Sequence, residues 1–150
     1  MLKPRILPCL LIHKGGLIKT KKFKFYKYLG DPINAVRIFN EKFCDELLVI
    51  DIDATIEKRE PNYKLISKLA RECRMPLCYG GGIKTPEQAL KIIKLGVEKI
   101  SISSAAINSP DIIKNISSIV GSQSVVATID VRIIKGLFTN SYKVCINNGT

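Results

Sequence analysis

The sequence predicts an α/β fold in which parallel strands are joined by helical crossovers, and three observations lead there. Five short segments are apolar almost without interruption: ILPCLLI (6–12), ELLVIDI (46–52), PLCYG (76–80), KISIS (99–103) and VVATID (125–130). Runs of that length that are continuous rather than alternating mark strands buried on both faces. Four proline sites, Asp31-Pro32, Glu60-Pro61, Thr85-Pro86 and Ser109-Pro110, each follow such a segment, and proline is pre-organised for the first turn of a helix. Polar residues gather where the strands end: Asp51 and Asp53, Gly80 to Gly82, Ser103 and Ser104, and Asp130. The order βαβαβαβαβ fits both an open doubly wound sheet and a β/α barrel, and in both the carboxyl ends of the strands form the working face.

Taken in order, the first strand leads into HKGGLIKTKKFKFYKYLG, which is too long for a plain connector and is expected to be a working loop. Asp31, Thr85 and Ser109 are predicted caps, whose side-chain oxygens accept from the free N–H groups of the helix starts. The third strand runs into YGGGIKTPEQALK (79–91). Three glycines cost so much backbone entropy that they imply either an unusual turn or a close approach to the backbone. A final VRIIKGLFTNSYKVCI, with Lys135-Gly136 and Thr139-Asn140 as turn candidates, predicts an irregular β-hairpin that extends the fifth strand. No low-complexity linker interrupts the chain, so residues 1–150 are expected to form one domain.

Composition excludes several classes. With 150 residues, 46% of them hydrophobic, the chain can bury a real core. Its formal charge of +11 favours an anionic partner, but the lysines are scattered rather than gathered in one block. Aromatic residues are few and tryptophan is absent, so no stacking platform for single-stranded nucleic acid is expected. Cys9, Cys44, Cys73, Cys78 and Cys145 form no C-x-x-C pair and no metal spacing with histidine; they read as reduced core residues of a cytoplasmic protein, and no metal or cofactor is expected. The start MLKPRILPCLLIHKGG imitates a signal peptide through Lys3 and Arg5, but its apolar run is minimal, contains Pro8 and reaches no cleavage site. No run approaches the roughly 18 apolar residues of a membrane span.

At PRILPCL, LGDP, DELLVIDIDA, CYGGGI, GVEKISISSAA and GSQSVVATID the chain resembles the cyclase subunit of imidazole glycerol phosphate synthase, a (βα)8 TIM-type barrel family. The resemblance covers essentially the whole chain. It implies the amino-terminal part of such a barrel, about five βα units, with 1–150 a single incomplete barrel domain and the rest absent. It also implies a heterodimer in which a glutaminase subunit releases ammonia. The ammonia crosses the barrel and reacts with a phosphorylated ribulosyl formimino aminoimidazole carboxamide ribonucleotide.

The resemblance assigns roles residue by residue. Gly81 and Gly82, the dipole of the helix that begins at Thr85-Pro86, and the hydroxyls of Ser103 and Ser104 form one phosphate site; the family usually has Asn where Ser103 stands. Lys19, with Lys21 and Lys22 beside it, closes over the substrate, although Lys21 and Lys22 are expected to be solvated. Asp51 belongs to the substrate site, and Asp51 or Asp53 orients neighbouring side chains. Asp130 matches a catalytic aspartate placed for proton transfer, whereas the other catalytic aspartate is replaced by Leu11, which can neither take nor give a proton. His13, two residues on, is expected to be a solvated loop histidine. Arg5, Glu46 and Lys99 match three members of the charged ring that gates ammonia at the amino-terminal end of the barrel.

Leu11 therefore implies a paralogue of the histidine-pathway cyclase, of the type associated with amidation of surface-polysaccharide sugars. A true histidine-biosynthesis cyclase is the near alternative. A non-catalytic half barrel that binds phosphate or a partner is the alternative of another kind.

Overall fold

The computed structural model describes residues 4–21, 23–136 and 139–147; Lys3 and Lys22 lie outside them. All five anticipated strands form: β1 (Cys9–His13), β4 (Leu47–Asp51), β5 (Leu77–Gly80), β6 (Lys99–Ile102) and β7 (Val125–Ala127). They pair side by side in parallel, in the order in which the chain makes them. A doubly wound sheet reverses its strand order at a switch point; no reversal occurs here.

The burial pattern gives the same result. The hydrophobic core takes Leu10 and Ile12 from β1, Leu47 and Val49 from β4, Leu77 and Tyr79 from β5, and Ile100 and Ile102 from β6. These are alternate residues, so one face of each strand packs against the helices. The opposite face presents Leu11, Ile50, Gly80 and Ser101 to a cavity. A parallel sheet that carries its helices on one face and is wound without reversal is an arc of a (βα)8 barrel.

The helices form where proline and the caps direct, with two adjustments. α1 (Pro32–Glu41) starts with Asp31 accepting from the Asn34 N–H at 3.0 Å. α3 (Pro86–Lys94) starts with a reciprocal capping box between Thr85 and Gln88. α2 (Tyr63–Glu72) starts two residues after Pro61 and is capped by Asn62, whose side chain accepts from the Leu65 N–H at 3.1 Å. At Ser109-Pro110 the expected side-chain cap is not made: Ser109 closes the short α4 (Ser104–Asn108), and α5 (Asp111–Val120) begins after Pro110 without a side-chain hydrogen bond.

Two connections differ from expectation. The long first connection is not a loop but a hairpin, β2 (Gly16–Lys21) and β3 (Lys24–Gly30), which adds to β1 in antiparallel fashion through Leu11↔Ile18 and Ile12↔Leu17. Its Lys-rich sequence hid the strands because β3 is exposed almost throughout and so shows no apolar run. The carboxyl-terminal hairpin forms as β8 (Asp130–Lys135) and β9 (Asn140–Cys145), but as a separate two-stranded sheet and not as an extension of β7. Asp130 therefore opens β8 rather than closing the fifth strand, which ends at Ala127. Of the five cysteines, all free, only Cys78 and Cys145 are buried, and Cys9 is exposed. Among the described residues no helix is long and apolar enough to cross a membrane.

Candidate functional site

The carboxyl ends of the parallel strands enclose a cavity of about 270 Å³. β1 contributes Leu11, β4 and its turn Ile50 to Ile52 and Thr55, β5 and its turn Gly80 to Lys84, and β6 with α4 Ser101 to Ala105. Thr128 and Asp130 close one side, and Thr20, Phe23 and Tyr26 of the first hairpin reach over it. Leu11, Asp51, Gly82, Ser103 and Asp130 thus share one rim. Lys19 does not join them: it stands exposed on β2 opposite Lys27.

The glycines are explained first by packing. Asp51, buried at the end of β4, folds the following turn onto itself. Its Oδ1 accepts from the N–H groups of Asp53 at 3.1 Å and Ala54 at 3.2 Å, and from Arg59 Nη2 at 2.8 Å. That turn presses against the end of β5. A Cβ on Gly81, where φ is +112°, would overlap the Asp51 carbonyl oxygen, and one on Gly82, where φ is +73°, would stand 2.9 Å from the Ala54 Cβ. Both the left-handed backbone and the close approach require glycine. The Gly82 N–H points to Thr55 Oγ1 at 3.4 Å.

The polar groups available to a ligand are fewer than the sequence suggests. The start of α3 lies outside the lining, and its capping box already engages the Gln88, Thr85 and Lys84 N–H groups. Ser103, by contrast, precedes α4 without making a side-chain cap. Ser104 Oγ accepts from the Asn147 N–H at 3.4 Å, which leaves its own proton to donate. Deeper in, the Ser101 and Thr128 hydroxyls are hydrogen-bonded to each other. Asp130 is half-buried, and desolvation raises its carboxyl above the ordinary range. Leu11 is also half-buried in the lining and brings no titratable group.

At the opposite end of the sheet Arg5, Glu46 and Lys99 meet. Glu46 is buried just before β4 and accepts from Arg5 Nη1 and, at 2.7 Å, from Lys99 Nζ. Those bonds, that of Lys99 foremost, hold its carboxyl below the usual range despite burial.

One residue expected to be solvated is not. His13 ends β1 with Nδ1 2.7 Å from Asp53 Oδ1, while Asp53 Oδ2 accepts the Lys14 N–H at 2.7 Å. The His13 ring lies against Tyr26, centroid to centroid 4.7 Å. The hairpin brings Tyr26 there, and because that hairpin read as a loop the contact was not legible. Arg59 was missed too; a basic residue eight positions after a buried strand-end aspartate was the only signal. Among the described residues no group of three or more His, Cys, Asp or Glu side chains could hold a metal ion.

Residues 5–150 match the family model described as histidine biosynthesis protein. A protein of Leptospira interrogans named "Putative imidazole glycerol phosphate synthase subunit HisF" is 57% identical over 150 residues, covering all of this chain and 58% of the relative. A Pseudomonas aeruginosa protein named "Putative imidazole glycerol phosphate synthase subunit hisF2" is 56% identical over 150 residues, covering 100% of this chain and 59% of the relative. "Imidazole glycerol phosphate synthase subunit HisF" of Methanococcus maripaludis is 42% identical over 132 residues, 88% of this chain and 48% of that protein. The chain therefore spans about 58% of the length of the first of these curated relatives. With a parallel arc wound in one direction and a family match that runs almost from end to end, the chain belongs to the histidine biosynthesis protein family.

Proposed function

We propose that this chain is part of an ammonia-using subunit of a glutamine amidotransferase complex, lyase- or cyclase-type in its chemistry, acting in the cytoplasm on a phosphorylated small molecule. Residues 1–150 form one incomplete barrel domain of it. A glutaminase subunit supplies ammonia past Arg5, Glu46 and Lys99, and the acceptor occupies the cavity at the opposite end. The Gly81-Gly82 backbone and the Ser103 and Ser104 hydroxyls bind its phosphate, with Asp51 holding the adjoining turn in place; Lys19, exposed on β2 outside the lining, takes no part. The names of the relatives support the family's chemistry.

A single observation carries the choice of acceptor. Asp130 lines the cavity with its carboxyl raised, and Leu11 lines it where the resemblance places a second carboxyl. A cavity with one such carboxyl suits an acceptor other than that of the histidine pathway, and the resemblance to paralogues associated with amidation of surface-polysaccharide sugars implies a sugar of that kind. The test is expression of the full-length protein in a strain that lacks the histidine-pathway cyclase. Loss of a positioned acid or base lowers rates roughly a hundred- to ten-thousand-fold, so the unaltered protein is expected not to restore growth without histidine. Leu11→Asp should recover part of the activity, and Asp130→Asn on top of it should abolish that gain. Robust growth with the unaltered protein would make it a histidine cyclase.

A further inference from the structure

Where the cavity lacks a carboxyl, the strand that carries Leu11 offers another group one pleat away. Side chains alternate along a strand, so His13 shares the inward face of β1 with Leu11 and stands roughly 7 Å further toward the rim. His13 stands just outside the cavity lining, next to two residues that belong to it, Leu11 on its own strand and Tyr26, against which its ring lies.

The ring is also fixed chemically. A carboxylate can only accept, so the 2.7 Å contact between Asp53 Oδ1 and His13 Nδ1 places the proton on Nδ1. In the neutral ring Nε2 then carries the lone pair, and among the described residues the ring's hydrogen bond is the one made through Nδ1. Asp53 is itself held, buried, by the Lys14 N–H. A histidine oriented through Nδ1 by a buried carboxylate, with the lone pair on Nε2, is the arrangement that general-base catalysis uses.

We propose that His13 is the proton acceptor of this cavity, oriented by Asp53 and acting opposite Asp130 in place of the carboxyl that Leu11 lacks; this rests on the proposed function. An O–H or N–H bond of the bound phosphorylated acceptor breaks, its electron pair stays on oxygen or nitrogen, and the proton joins Nε2. The imidazolium charge is balanced by Asp53 until the proton passes to the leaving group or to water.

His13 is the only histidine of the chain, which makes two readouts unambiguous. Long-range ¹H–¹⁵N NMR of the unaltered chain is expected to show the proton on Nδ1 and a bare Nε2; this needs no variant and so stands even if substitution disturbs folding. Carbethoxylation by diethyl pyrocarbonate is expected to modify Nε2, about tenfold more slowly in Asp53→Asn, less than the roughly hundredfold minimum of full general-base catalysis because Asp53 only orients the ring. Saturating inorganic phosphate, which fills the cavity under the proposed function, should protect His13 from the reagent. A proton on Nε2, or an unchanged rate in folded Asp53→Asn, overturns the inference. Phosphate that binds in calorimetry without protecting His13 overturns it as well and leaves the proposed function standing. Phosphate that does not bind at all overturns the proposed function and the inference together.

Discussion

Gly81 meets two constraints at once, a φ of +112° and the Asp51 carbonyl oxygen where a Cβ would sit. Gly81→Ala therefore has no local escape, and urea denaturation should show a loss of roughly 2–4 kcal/mol, the range for strain added to steric overlap. The apolar run and the three glycines made this turn legible in the sequence as a place of close approach. What approaches was not legible, because Asp51 and Ala54 lie some thirty residues away in the chain and meet it only through the β4–β5 pairing. Glu46 is the converse case, a buried carboxylate on which two charges from distant parts of the chain, Arg5 and Lys99, converge. Because its folded carboxyl is held below its unfolded value, its contribution to stability is fully present above the unfolded pKa and is lost as pH falls through the folded one. Glu46→Gln should cost about 1–3 kcal/mol near neutrality, as for a lost hydrogen bond to a charged group, and should flatten that part of the acid limb in a pH series of thermal melts.

The elements followed from the sequence wherever local chemistry alone decides them. Asp31, and Thr85 with Gln88, are complete caps within four residues, and α1 and α3 start there. Thr85→Ala removes the accepting hydroxyl and should destabilise the fold by about 1 kcal/mol, read as a shift of the denaturation midpoint with an unchanged slope. Ser109 looked equivalent and is not, because its residue is already used to end α4 and its hydroxyl caps nothing; Ser109→Ala should leave the midpoint nearly unmoved. The hairpin β2–β3 escaped notice for a related reason. Its outer strand meets solvent on both faces, with Phe25 80% and Tyr28 68% exposed, so no burial periodicity was written into it. That same hairpin carries Tyr26 to His13, and so the misread element also hid the histidine's partner.

At the scale of the molecule, strand spacing predicted parallel winding, but the choice between barrel and open sheet was not in the periodicity; it came from resemblance in the sequence and from strand order and one-sided helix packing in the structure. An arc of this kind leaves β7 as an edge and shows Ile129, Val131, Ile133 and Val144 to solvent. The isolated chain should accordingly self-associate, and sedimentation showing only a compact monomer would contradict this. The central claim is that the strand ends form an anion-binding cavity served by Ser103 and Ser104 and not by Lys19. Calorimetric titration of the full-length protein with inorganic phosphate tests it most directly. Replacing Ser103 and Ser104 together by alanine should weaken binding by roughly 1–3 kcal/mol, the cost of unpaired partners, while Lys19→Met should leave it unchanged; equal affinities for the unaltered and double-alanine proteins, or a loss confined to Lys19→Met, would contradict the account.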